Sequence, residues 1–326
     1  MVLGAQAPGR VGRCQEKKRE SFGTPSFHFI SFAAVDKTAA VRYDAISIGY
    51  GEETSVSKET KPLILVTNDD GIRSPGLLAA VEAVHGLGEI LVVAPKHQQT
   101  GAGRSTFSCS NVPTQEEHIT VGGQRVSAFS VEGTPAQAVL FALVEVARRR
   151  PSLAVSGINY GENLGTGITA SGTVGAALEA AVFDIPSLAI SLETSKEYHY
   201  SHSHDMDFAA AAFFTRIFAQ YLLAVQLPPD VDVLKIDVPE GASEQTPWRL
   251  TRVSRQKYFH PIESDSVGSA GASTIDYETR VDFDTLEPDS DIFALVKDRV
   301  VSVSPLTLDL SSRVDLSQFV QLLRPG

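Results

Sequence analysis

The sequence predicts an α/β fold with a mostly parallel sheet covered on both faces, and three observations carry that expectation. Apolar, strand-like runs recur at Leu63–Thr67, Glu89–Ala94, Leu153–Ser156, Ser187–Ser191 and Val233–Val238. Helix-like stretches follow several of them: Pro75–His85, Pro135–Arg149, Val174–Phe183 and Phe208–Val225. Such alternation points to crossover units and a parallel sheet. Ser74-Pro75 and Thr134-Pro135 are helix starts, a capping hydroxyl followed by a proline whose missing N–H costs nothing in the first turn.

The pattern changes after about residue 245. Leu250–Arg255, Ser273–Phe283 and Arg299–Ser304 read as strands, Glu263–Ala272 as a polar loop and Val314–Leu323 as a closing helix. This tail is expected to form an antiparallel arm or a subunit contact. Residues 1–60 mix Gly, Ser, Lys and Arg without a sustained apolar period and are expected to be a loosely ordered extension; the recognisable domain spans 61–326.

Composition bounds the function. The 326 residues are 43% hydrophobic and carry a net charge of −11. An acidic chain repels a phosphate backbone, so a nucleic-acid polymer is not an expected partner. No apolar run approaches the roughly 18 residues that cross a bilayer. Two cysteines, Cys14 and Cys109, supply neither a disulfide framework nor a thiolate zinc site, and a cytoplasmic location is the expectation.

The chemistry concentrates where three strands run out. The first leads into Asn68-Asp69-Asp70-Gly71, the second into Gln98-Gln99-Thr100-Gly101-Ala102-Gly103, and the third into Ser156-Gly157-Ile158-Asn159. Adjacent carboxylates repel one another and resist burial, a conflict that a divalent cation or a shared proton relieves. By itself the pair also reads as a polar turn. In open α/β sheets, however, ligands bind beyond the carboxyl ends of the strands, where these segments would converge. Two aspartates, a hydroxyl and an Asn amide oxygen make an all-oxygen set suited to Mg²⁺ or Mn²⁺. Ser171-Gly172-Thr173 opens the next helix, and a helix N-terminus attracts anions. No G-x-G-x-x-G follows the first strand, which discounts a Rossmann dehydrogenase.

Residues 63–191 resemble the SurE family of survival-protein phosphatases through Thr-Asn-Asp-Asp-Gly-Ile, Thr-Gly-Ala-Gly, Gly-Thr-Pro, Ser-Gly-Ile-Asn and Ser-Gly-Thr-Val, in that order. Val301-Ser302-Val303-Ser304-Pro305-Leu306 extends the resemblance toward residue 323. It implies a Rossmann-like three-layer α/β/α fold and a homodimer or homotetramer assembled through the tail. It also implies a phosphatase acting on nucleoside 5′- and 3′-monophosphates with one divalent metal ion, Mg²⁺ or Mn²⁺, per subunit. By motif, Asp69, Asp70 and Asn159 would be metal ligands, with Thr100 where the family usually has serine. Asp69 and Asp70 would be the catalytic carboxylates, one of them accepting the proton of the attacking water, and Asn68, Asn163, Ser171, Gly172 and Thr173 would hold the phosphate. Gln137-Ala138 departs from the family's usual Asp-Cys, and Ala170 from its usual tyrosine. The rival reading is a non-catalytic nucleotide-binding or scaffold protein on the same fold. His199, His202 and His204 have no zinc-motif spacing and are expected in a solvated loop, with His97 at the surface.

Overall fold

A computed structural model describes residues 61–106, 112–199, 201, 203, 205–267 and 273–324. The expected N-terminal extension, His202 and His204 lie outside the described residues. Five strands form where the apolar runs predict them: β1 (Leu63–Thr67), β2 (Glu89–Pro95), β5 (Leu153–Tyr160), β6 (Ser187–Leu192) and β7 (Val233–Val238). Between β2 and β5 lie two further strands, β3 (Thr114–Val121) and β4 (Gln124–Val131). With β8 (Trp248–Leu250) and β11 (Val301–Leu306) they complete a nine-stranded sheet of order β3-β4-β2-β1-β5-β6-β7-β11-β8. The central strands from β4 to β7 pair in parallel, while β3 on β4 and β11 on β7 are antiparallel. A separate antiparallel pair, β9 (Phe259–Val267) and β10 (Ser273–Thr279), projects from the tail.

β1 explains the three layers. Side chains alternate along a strand; Ile64 and Val66 join the core on one face, Leu63 and Leu65 the core on the other, all buried. The first face is covered by α1 (Pro75–Val84) and α4 (Ala209–Ala224), through Leu77, Val81, Phe214 and Phe218. The second is covered by α2 (Pro135–Phe141) and α3 (Gly172–Ala181), through Val139, Ala176 and Ala180. The start of α2 is a capping box: the Thr134 hydroxyl accepts the Gln137 N–H at 3.1 Å, and the Thr134 N–H donates to the Gln137 side chain at 2.9 Å. Gln137 thus has a local role in the helix start.

Three expectations need correction. The helix predicted over Pro135–Arg149 ends as α-helix at Phe141 and continues as one π turn over Ala142–Val146. The polar segment from Glu263 to Val267 is strand, paired across to β10 rather than free as a loop. The first tail strand is Trp248–Leu250, with residues 251–255 largely outside regular structure. The closing helix forms as α5 (Leu316–Leu323), whose Leu316, Phe319, Val320, Leu322 and Leu323 are exposed.

Phe214 is 2% exposed and spans the core between α4 and the sheet. Phe214→Ala is expected to cost about 3–5 kcal/mol in urea unfolding, with an unchanged m-value, because the cavity it leaves cannot collapse fully.

Candidate active site

The carboxyl ends of β1, β2 and β5 deliver their polar segments to one cavity of about 400 Å³. Asp69, Thr100, Asn159, Asn163 and Ser171 line its polar side; Lys257, Phe259, Pro261 and Tyr277 from the β9–β10 hairpin region line the other. The site residues predicted from sequence therefore divide into those that face the cavity and those that hold them.

Asp69 is docked on the start of α3. Its carboxylate accepts the Thr173 hydroxyl at 2.5 Å, and the nearby backbone N–H groups of Gly172 and Thr173 favour its charged form. The positive end of the helix dipole therefore serves a side chain of the protein itself. This contact is close: a Cβ on Gly172 would lie 2.6 Å from Asp69 Cβ and 2.7 Å from Oδ2. Gly172 and Thr173 do not line the cavity, whereas Ser171 does, with its hydroxyl accepting the Val174 N–H at 3.1 Å as the helix cap. Asn68 is fully buried and closes the turn, its amide accepting from Gly71 N–H and donating to Gly71 C=O, each at 3.1 Å.

Asp70 sits behind Asp69. Its carboxylate accepts Gln98 Nε2 at 3.1 Å and the Tyr160 N–H at 3.3 Å, and it does not line the cavity. Gln98 also donates to the His199 carbonyl at 2.7 Å, linking the acid to the segment after β6. Burial raises both acids. Asp69 reaches about 6 despite its hydrogen bonds; Asp70 rises well above the carboxylate range through burial and the neighbouring Asp69 charge.

The Asn159 NH₂ donates to the carbonyls of Gly161 at 2.7 Å and Tyr160 at 3.2 Å. Only the amide nitrogen can serve two carbonyls, so its oxygen is the end left for a cation or a donor. Thr100 reaches the same place because the neighbouring Gln99 N–H donates to the Asp69 carbonyl at 2.7 Å. Asn163 has its Nδ2 on Ser191 Oγ at 2.8 Å. Among the described residues no group of three or more His, Cys, Asp or Glu side chains has a metal-holding arrangement. A cation here would draw on two acids together with the hydroxyl and the amide, a donor set that suits a hard ion.

Sequence reasoning missed the aromatic wall. His199, expected in a solvated loop, lines the cavity; its Nδ1 is 2.6 Å from the Tyr277 hydroxyl and its ring stacks on Tyr277 at 6.0 Å between centroids. Burial lowers its pKa. Glu162 also lines the cavity and is buried, which lifts its carboxyl to about 7. His97 is exposed, as expected. Residues 78 to 101 positions apart meet across Gln98, His199 and Tyr277, so no local motif announces them.

The family model described as "Survival protein SurE" matches residues 64–260. The chain belongs to the SurE family. SurE relatives named 5′-nucleotidase SurE include that of Thermococcus gammatolerans, 40% identical over 260 residues, covering 80% of this chain and 95% of the relative. That of Archaeoglobus fulgidus is 40% identical over 258 residues, covering 77% and 94%. The crystal structure of the SurE protein from Aquifex aeolicus superposes with a TM-score of 0.62 at 28% identity, covering 80% of this chain and 99% of that one.

Two predictions follow from how this SurE site is built. Gly172→Ala forces Asp69 off the helix start, so activity is expected to fall at least tenfold while far-UV circular dichroism is retained. The second concerns pH. A carboxyl raised from 3.8 to about 6 binds more protons folded than unfolded, so its contribution to stability is complete below about pH 4 and is lost as pH rises through 6. In chelator, Asp69→Asn should therefore gain roughly 1–3 kcal/mol on the wild type between pH 5 and pH 7, read by urea unfolding at each pH.

Proposed function

We propose that the protein is a 5′-nucleotidase, a metal-dependent phosphomonoesterase that hydrolyses nucleoside 5′- and 3′-monophosphates to nucleoside and phosphate. The observation that carries this reading is one cavity in which Asp69, Thr100 and Asn159 stand beside Asn163 and Ser171, in a chain whose relatives bear the nucleotidase name.

Asp69, Asp70, Thr100 and Asn159 would hold one Mg²⁺ or Mn²⁺, with Asp70 turning toward the cavity or acting through Asp69. Two buried, adjacent carboxylates of raised pKa fit a divalent cation, which would remove the cost of their charge. When bound, the ion supplies Lewis acidity toward a phosphoryl oxygen and a lowered pKa for water. The second proton of Asn163 Nδ2 and the Ser171 hydroxyl would bind the other phosphoryl oxygens, with Gly172 and Thr173 contributing by fixing Asp69 and Asn68 by closing the turn. Asp69 opens onto the cavity, which supports it as the acceptor of the attacking water's proton. The aromatic wall of Phe259 and Tyr277 suits the flat face of a nucleoside base.

Among the described residues no helix is long and apolar enough to cross a membrane, and a cytoplasmic enzyme is the accompanying reading. The exposed apolar residues of α5 support a homodimer or homotetramer. The rival scaffold reading would leave the two acids without a task.

Phosphate release from a panel of nucleoside monophosphates tests the proposal. EDTA is expected to abolish release and Mn²⁺ or Mg²⁺ to restore it, and Asp69→Asn should lower kcat at least 100-fold without loss of fold. Metal-independent turnover, or near-normal turnover in Asp69→Asn, would overturn it.

A further inference from the structure

Beneath the cavity, three charged side chains are completely buried: Lys235 and Asp237 on β7, and Asp291 just before the π turn Phe293–Lys297. Lys235 Nζ pairs with Asp237 and lies 3.2 Å from Asp291. The triad grips the loop that follows β5. Lys235 Nζ donates to the Asn163 carbonyl at 2.8 Å, Asp237 accepts the Asn163 N–H at 2.8 Å, and Asp291 accepts the Gly165 N–H at 3.1 Å. Both main-chain polar groups of Asn163 thus end on these ions. Strand register adds a lateral link: Asn159 stands opposite Ser191, and Ser191 opposite Asp237. Ser191 in turn accepts the Asn163 side chain.

Stability alone is a poor reason for such a group. Taking three charges out of water costs several kcal/mol each before their attraction offsets it, and apolar replacements of similar volume are often neutral or better. What an apolar side chain cannot do is hold an N–H and a C=O of one residue at a set position in the floor of a cavity. Lys235 is 0% exposed and does not line that cavity, so it acts on substrate only through Asn163.

We infer that Lys235, braced by Asp237 and Asp291, is a positioning residue for the phosphate end of the site, fixing Asn163 so that its amide meets a phosphoryl oxygen. The inference rests on the reading of Asn163 as a phosphoryl contact. It assigns the triad to substrate affinity and leaves the cation to Asp69, Asp70, Thr100 and Asn159 on other strand ends.

The test compares Lys235→Met with a charge-free variant, Lys235→Met/Asp237→Asn/Asp291→Asn, which keeps the carbonyl acceptors and removes the uncompensated buried charge. Inorganic phosphate is titrated by calorimetry, Mn²⁺ binding is measured separately, and KM and kcat are determined on a nucleoside 5′-monophosphate. In the charge-free variant the thermal midpoint should recover relative to Lys235→Met, while the phosphate Kd and KM stay raised roughly tenfold or more and the Mn²⁺ Kd stays within about twofold. A folded charge-free variant with wild-type phosphate affinity and KM would overturn the inference and leave the triad structural. If neither variant folds, amide hydrogen exchange in the wild type decides. Asn163 and Gly165 should exchange as slowly as Ile236 in β7, and exchange about 100-fold faster would overturn it. A wild type that binds phosphate yet hydrolyses no nucleotide would defeat the nucleotidase reading without touching this one.

Discussion

The docking of the Asp69 carboxylate onto the first turn of α3 is the contact around which the rest of the site is arranged. It joins the end of β1 to the start of α3 through the Thr173 hydroxyl, with the Gly172 and Thr173 N–H groups close enough to favour the charged acid. A helix N-terminus gains little from facing solvent and considerably more from a desolvated anion. Burial raises the acid, and those neighbours limit the rise to about 6. Asp70 is raised as well, through burial and the charge of its neighbour Asp69. One acid is thus held at the cavity and the other behind it, although they are adjacent in sequence.

Most of the fold was legible because its central strands are buried on both faces. Ile64 and Val66 serve one core, Leu63 and Leu65 the other, so the run is continuously apolar and stands out. The same reasoning was blind to β3 and β4. β3 reads Thr114-Gln115-Glu116-Glu117-His118-Ile119-Thr120-Val121 and only Val121 is buried. An edge strand owes its existence to its partner's hydrogen bonds, here set by the two-residue Gly122-Gly123 turn with φ of 54° and 78°. β9 escaped for a similar reason, since its polar second half is specified by pairing with β10.

The site was legible where chemistry and chain position coincide. The convergence of Asp69, Thr100 and Asn159 follows from the rule that parallel strands deliver their carboxyl ends together. The division of labour did not follow from it. Whether Thr173 holds a ligand or Asp69, and whether Asn68 faces the cavity or closes its own turn, depends on distances of a few ångströms that no spacing rule encodes. Nor does the pattern Val233-Leu234-Lys235-Ile236-Asp237-Val238 reveal that its two polar members point at a loop about 72 residues earlier. Read alone, alternating charge in a strand suggests a solvated face; here both charges are fully buried.

The acidic edge of β3 has a consequence for how copies of this chain can meet. A sheet with an open edge is a template for further strands, and nine in a row is already long. Glu116 and Glu117 put like charges where an incoming copy of the same strand would lie, and at the far edge β8 offers only three residues to pair with. Both edges of the sheet are therefore poor templates for a further strand, one through its charge and the other through its length.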